Sequence, residues 1–203
     1  MAKLSHSAAS LFYFRLGDMN SSSLLAVMMR YFASQKIQEL GLLERYQWFI
    51  VTRTDQYYMC SHSIAPYKKR SRTAKDHVWI PMGEDYKGIT DRHMVVHRQH
   101  VLQALNILPP LLQNPQQYRA FFQGRRHKNS EMFMKLRFDE EGLSVKRFDR
   151  SMFVAGAPGD SFSRKRAKTP FRDLGINVKY RHELFGSKMT CNSKLRKKAE
   201  DGE

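Results

Sequence analysis

Tyr46-Gln47-Trp48-Phe49-Ile50-Val51-Thr52-Arg53-Thr54-Asp55 is the stretch from which the rest of the chain is ordered. It opens as a short aromatic and β-branched run, nearly continuous in apolar character. That pattern predicts a strand covered on both faces, and so a central one. The polar residues Thr52 to Asp55 then fall at the strand's carboxyl end, where open α/β sheets place their ligands.

Upstream, Ser21-Ser22-Ser23 precedes Leu24, Leu25, Val27, Met28, Tyr31, Phe32 and Leu40, a spacing that predicts a serine-capped helix with apolar groups on one side. Gly41 stops it. Downstream, residues 61 to 76 are polar and basic and read as a loop, and His77-Val78-Trp79-Ile80-Pro81 reads as a second strand ended by proline. A glycine-bounded acidic loop, Met82 to Gly88, leads into Thr90 to Val96 as a strand or strand edge.

Gln99 to Leu112 reads as a helix halted by Pro109-Pro110, and Glu131 to Glu140 as an amphipathic helix ended by Gly142. Leu143 to Phe148 alternates apolar and polar residues, as an exposed or edge strand does. The order predicts an α/β fold with a mixed sheet flanked by helices. Residues 1–156 form one domain in this reading, and residues 157–203 a basic irregular tail.

A chain of 203 residues with 41% hydrophobic and 12% aromatic content has the material for one folded domain, not a disordered segment. Its two cysteines, Cys60 and Cys191, stand far apart and suggest neither a disulfide framework nor a paired-thiol metal site. The N-terminus lacks the apolar core of a secretion signal, and no apolar run approaches the roughly 20 residues that span a bilayer. A soluble, cytoplasmic protein is expected rather than a secreted one.

The net charge of +16 gathers in clusters at 67–72, 124–128, 163–168 and 194–198. Such clusters bind nucleic acid or other polyanions in some proteins and are solvated loops in more. Tyr118, Phe121 and Phe122 before Arg125 and Arg126 allow base stacking or, more commonly, a helix core face, and no nucleic-acid signature motif accompanies them.

The apolar strand ending in Thr52-Arg53-Thr54-Asp55 resembles the strand-plus-acid segment of nucleotide-sugar-dependent glycosyltransferases of the GT-A type, including capsid-glycosylating enzymes of large algal viruses and surface-polysaccharide transferases. In those, Arg-x-Asp takes the place of Asp-x-Asp. The likeness continues through Val78-Trp79-Ile80-Pro81-Met82-Gly83-Glu84-Asp85-Tyr86-Lys87-Gly88-Ile89-Thr90-Asp91-Arg92-His93. It extends to Asn129-Ser130-Glu131 and Gly142 to Phe148, and spans roughly residues 24–155.

The resemblance departs at Gln47, where an acid is expected. It departs also at the N-terminus, where only about twenty residues precede the first helix and Leu11-Phe12-Tyr13-Phe14-Arg15 is the candidate for a shortened opening strand.

The resemblance implies transfer of a sugar from a nucleotide-sugar donor to a glycan or glycoprotein hydroxyl, assisted by a divalent metal, manganese or magnesium. Such a cation offsets charge on the leaving diphosphate. Asp55 is then the metal ligand, against the plain reading of a turn aspartate. Asp91 is the base that takes the acceptor's proton, against a structural aspartate bonded to Arg92 or to backbone amides.

Arg53 contacts the diphosphate or pairs with a carboxylate. Arg92 joins the binding set, and Glu84 and Asp85 meet sugar hydroxyls or are solvated loop acids. Glu131 matches the helix-opening acid and is not assigned a catalytic role, since a first-turn carboxylate is favoured by the helix dipole alone. His93, His97 and His100 have metal-ligand spacing for a helix, but a strand here turns His100 away from the other two. The rival reading is a non-catalytic basic module that binds nucleic acid or another polyanion.

Overall fold

The computed structural model describes residues 21–64, 67, 74–125, 128–156 and 175–200. The candidate opening strand at Leu11 to Arg15, and most of the basic clusters at 67–72 and 163–168, lie outside them.

Helix α1 (Ser21–Glu39) and the single turn α2 (Leu42–Arg45) lead into β1 (Trp48–Thr52) and β2 (Gln56–Tyr58). Then come β3 (His77–Pro81), β4 (His93–His97), α3 (Arg98–Leu105), α4 (Leu108–Gln113), α5 (Pro115–Phe122) and α6 (Ser130–Glu140). β5 (Ser144–Phe148), β6 (Met152–Gly156), β7 (Asn177–Val178) and α7 (Arg181–Glu200) complete the chain.

The fold is mixed α/β. A four-stranded sheet has the order β1-β4-β3-β5, in which β3 and β5 are parallel and the other neighbours antiparallel. A three-stranded sheet has the order β2-β6-β7. The main core lies between one face of the larger sheet and α1, α3 and α6, with Val78, Ile80, Met94, Val96, Phe133 and Phe138 at its centre.

Three local expectations meet a different arrangement. Among the described residues β1 pairs only with β4 and lies at the edge of the sheet, and Ile50 is exposed. The central strand is β4, which has partners on both sides and whose His93 to Val96 are all buried. An apolar run marks burial but not lateral position, because the neighbours come from distant segments.

Pro109 and Pro110 open α4 instead of ending α3, since an early helical position needs no N–H donor. The buried face of α1 is Ser23, Val27, Arg30, Ser34 and Ile37, whereas Leu25, Met29, Phe32 and Leu40 face outward. On that buried face the Arg30 guanidinium reaches across to the backbone of Asp91.

The largest departure is at the C-terminal end, read as an irregular tail. β7 pairs with β6, and α7 packs on β6 with Leu184 in a small core beside Phe153 and Val178. Cys60 and Cys191 form a disulfide, with Cα atoms 5.7 Å apart across a sequence separation of 131. The two thiols have no local signature because α7, folding back on the body, is what brings them together. No helix among the described residues is long and apolar enough to cross a membrane.

Candidate functional site

β1 and β4 run antiparallel with Thr52 opposite His93. The ladder runs one step further, because the Arg53 N–H donates to the Arg92 carbonyl at 3.1 Å. Register therefore carries Thr52 to Asp55 alongside Asp91-Arg92. Two segments singled out separately in the sequence meet at one end of the sheet.

Arg53 grips Asp55 with a fork: Nε donates to Oδ1 at 3.0 Å and Nη2 to Oδ2 at 2.6 Å. Its Nη1 stands 3.8 Å from Asp91 Oδ1. The Arg53 and Asp55 side chains are 42% and 31% exposed, so a ligand can reach them, whereas that of Asp91 is only 4% exposed.

Asp91 Oδ2 accepts from the Ser130 hydroxyl at 3.1 Å, and its backbone oxygen accepts from Arg30 Nη2 at 2.5 Å. Oδ1 is buried and accepts no hydrogen bond among the described residues. The same Ser130 hydroxyl lies 3.3 Å from Glu131 Oε2 and so sits between two carboxylates at the start of α6. Burial and, second to it, the charge of Asp91 push the Glu131 carboxyl above the ordinary carboxylate range. Burial pulls the Arg30 guanidinium down, and Asp91 opposes that shift.

The loop from Gly83 to Asp91 binds this cluster to the body. Glu84, Tyr86 and Lys87 have φ values of 58, 44 and 70°, in the left-handed region that costs an L-residue roughly 1–2 kcal/mol. The strain is held by contacts at each turn. Asp85 Oδ1 accepts from the Thr90 N–H at 3.1 Å and from Arg147 Nη1 at 2.7 Å. Asn129, the N-cap of α6, donates from Nδ2 to the Tyr86 carbonyl at 3.2 Å, and the Ile89 N–H donates to the Glu131 carbonyl at 2.9 Å. Gly88 lies so close to α6 that a Cβ there would stand 2.0 Å from the Glu131 carbonyl oxygen.

Arg92 turns to the opposite side. It pairs with the fully buried Glu183, approaches Glu84 Oε2 at 3.6 Å, and lies over the rings of Tyr180 and Tyr86 at 4.6 and 5.7 Å. Burial alone would lower its guanidinium, but Glu183 and its neighbours hold it above the ordinary value. Glu183 also accepts from Arg150 Nη1 at 2.9 Å and, through its other oxygen, from the Val154 N–H at 2.8 Å.

Glu84 contacts His182. Burial pushes its carboxyl up, but hydrogen bonds from Tyr86 and His182 and the charge of Arg92 bring it below the usual range. Beside this network His93 is fully buried, with Nδ1 3.1 Å from the Tyr58 hydroxyl and Nε2 3.2 Å from His62 Nε2. Burial, and less so His62 and Arg150, lower its pKa to about 3.

Of the residues expected to act together, Arg53, Asp55 and Asp91 converge, while Glu84, Asp85 and Arg92 are tied into the loop's own ion pairs. His97 caps α3 and stacks edge-on with Trp48, and His100 bonds to Gln103, so neither joins His93. Tyr118 and Phe122 are buried on α5, and Arg125 lies over the Phe121 ring at 4.3 Å.

Residues that sequence reasoning missed are Arg30, Ser130 and Glu183. A charged residue inside the apolar stretch from Leu24 to Phe32 was the available signal for Arg30. Glu183 had none, since its partners lie 91 and 33 residues away.

The divalent cation that the resemblance implies would need oxygen ligands free to reach it. Both oxygens of Asp55 already accept from Arg53, and the free oxygen of Asp91 faces the same guanidinium. No three His, Cys, Asp or Glu side chains among the described residues are placed to share an ion. These carboxylates, as arranged, hold the Arg53 guanidinium and leave no set of oxygens free for a divalent metal ion.

Compared with models of protein families, with characterised proteins and with solved structures, the chain gives no match.

Proposed function

We propose that the chain is a nucleotide-sugar-dependent glycosyltransferase with a GT-A-like arrangement, moving a sugar to a hydroxyl of a glycan or glycoprotein. The observation that carries this reading is the Asp91 carboxylate. It is buried and oriented through Oδ2 by Ser130, and it retains one oxygen that accepts nothing, beside a reachable arginine at the end of the sheet.

A general base needs a fixed orientation and an acceptor oxygen that no donor has claimed, and Asp91 has both; Oδ1 is buried, so the exposed Arg53 side chain 3.8 Å away has to move aside for a hydroxyl to reach it. Its Oδ1 takes the proton of the acceptor hydroxyl as that oxygen bonds to the anomeric carbon. The bond from that carbon to the diphosphate breaks, and the diphosphate leaves with the electron pair. Arg53 meets the growing negative charge, and Glu84, Asp85 and Arg92 shape the loop that borders the acceptor.

The test is transfer from a panel of labelled nucleotide sugars to glycan and glycopeptide acceptors, on the native chain and on Asp91→Asn. Donor-dependent transfer that falls by about 10²–10⁴-fold in Asp91→Asn supports the proposal. Equal transfer by the variant removes Asp91 from the chemistry. Salt-sensitive retention of generic DNA, indifferent to Asp55→Ala and without any nucleotide binding, replaces the proposal with the polyanion-binding reading.

A further inference from the structure

Five arginines surround the loop, and four are already committed, Arg147 among them through Asp85 and the Pro81 carbonyl. Arg30, Arg92 and Arg150 are buried, bound to the Asp91 carbonyl in the first case and to Glu183 in the others. Arg53 is the most exposed of the five, its side chain 42% exposed against 32% for Arg147, both of whose contacts hold the loop.

A guanidinium carries five N–H donors in a planar fork that matches phosphate oxygens. Arg53 spends two of the five on Asp55, leaving three that make no hydrogen bond among the described residues. Asp55 holds both Nε and Nη2, and the opposite nitrogen faces Asp91, so the plane of the fork is set from two sides.

We infer that Arg53 is an anion-binding residue that receives the donor's diphosphate without a divalent cation, and that Asp55 is a positioning residue that aims its guanidinium. This rests on the glycosyltransferase reading for the identity of the diphosphate, but the anion site itself does not. The carboxylates at 55 and 91 flank a built-in positive charge at the place where a metal site would hold an imported one. A charge-assisted fork on a diphosphate does the same electrostatic work as a cation, and its position is fixed before the ligand arrives.

Calorimetric titration decides it, with inorganic pyrophosphate and with the diphosphates of uridine, guanosine, thymidine and cytidine, each in chelator and in manganese. The proteins are the native chain, Arg53→Gln, Arg53→Lys, Asp55→Asn and Asp55→Ala, with thermal melting to establish that each is folded. Expected are affinities that agree within about twofold with and without metal and fall by about 10-fold or more in Arg53→Gln, the loss of a charged hydrogen bond. Arg53→Lys keeps part of the binding. Asp55→Asn, which retains an acceptor for the fork, binds better than Asp55→Ala, a rescue that a merely structural role would not produce.

Binding that appears only with manganese, or that survives Arg53→Gln, overturns the inference while leaving the transferase reading intact. Metal-free, Arg53-dependent binding of pyrophosphate with no nucleoside diphosphate bound more tightly upholds the anion site and sinks the nucleotide-sugar reading. No binding of any probe sinks both.

Discussion

Asp91 and Arg92 are consecutive, yet their side chains belong to opposite kinds of surroundings. On the Asp91 side, one carboxylate oxygen accepts nothing, a second acid is held above its ordinary pKa, and the arginine that faces the carboxylate, Arg53, is open to solvent. On the Arg92 side, Glu183 receives two arginines and a backbone N–H, and two tyrosine rings cover the cation. Buried polar groups are costly unless paired. The side whose charges are all paired is therefore architecture, and the side with a charged acceptor left over is where chemistry is expected.

The sharpest way to break this contrast is to exchange the consequences of mutation. Glu183→Ala leaves Arg92 and Arg150 buried without their shared anion and should cost about 3–5 kcal/mol of stability, read from the urea midpoint. If the loss is under about 1 kcal/mol, the closed side is not holding the fold.

Asp91→Asn should do the reverse. It should lower sugar transfer by about 10²–10⁴-fold while the urea midpoint stays within about 1 kcal/mol, because Asn keeps an acceptor for Ser130. A large stability loss in this variant would make Asp91 structural.

His93 extends the closed side by one residue and gives it a pH signature. Its pKa lies at about 3 in the fold, against about 6.5 unfolded, so the unfolded chain binds the extra proton between those values. Stability contributed by the neutral ring is complete above about pH 6.5 and is lost as pH falls toward 3. Unfolding midpoints measured across that window should decline with acid, and His93→Gln should flatten the decline. An unchanged slope would remove His93 as the cause.

The smallest effect concerns the loop between the two sides. Lys87 has φ 70°, so Lys87→Gly should relieve left-handed strain and raise stability by about 0.5–1 kcal/mol. A loss instead would mean that the Lys87 side chain, not the backbone, pins the loop.

Much of the local structure was legible in the chain. The glycine at 41, the stop at 142, the edge character of β5 and the position of the polar turn after β1 all followed from short-range signals. The pairing of that turn with Asp91 was legible only as a resemblance of segments in order, and register supplied the contact. The edge position of β1 was not legible, because an apolar strand looks alike whether or not a second neighbour arrives. Nor was the rotation of α1, since hydrophobicity alone points Leu25, Met29 and Phe32 inward, whereas the structure buries Ser23, Arg30 and Ser34 and leaves those three exposed.

By itself the sequence determined roughly where α1, β1, β3, β4, α6 and β5 lie, because caps, turns and periodicity act over a few residues, while β2, β6, β7, α7 and the break between α3 and α4 escaped it. It also determined which polar residues lie at the end of a strand. The tertiary structure alone decided that Cys191 meets Cys60, that Glu183 sits under Arg92 and Arg150, and that Arg53 occupies Asp55. The first two partnerships join residues distant in the chain, and the third depends on which rotamer the packed loop permits. None leaves a periodic trace, because an ion pair needs only that folding bring two charges together.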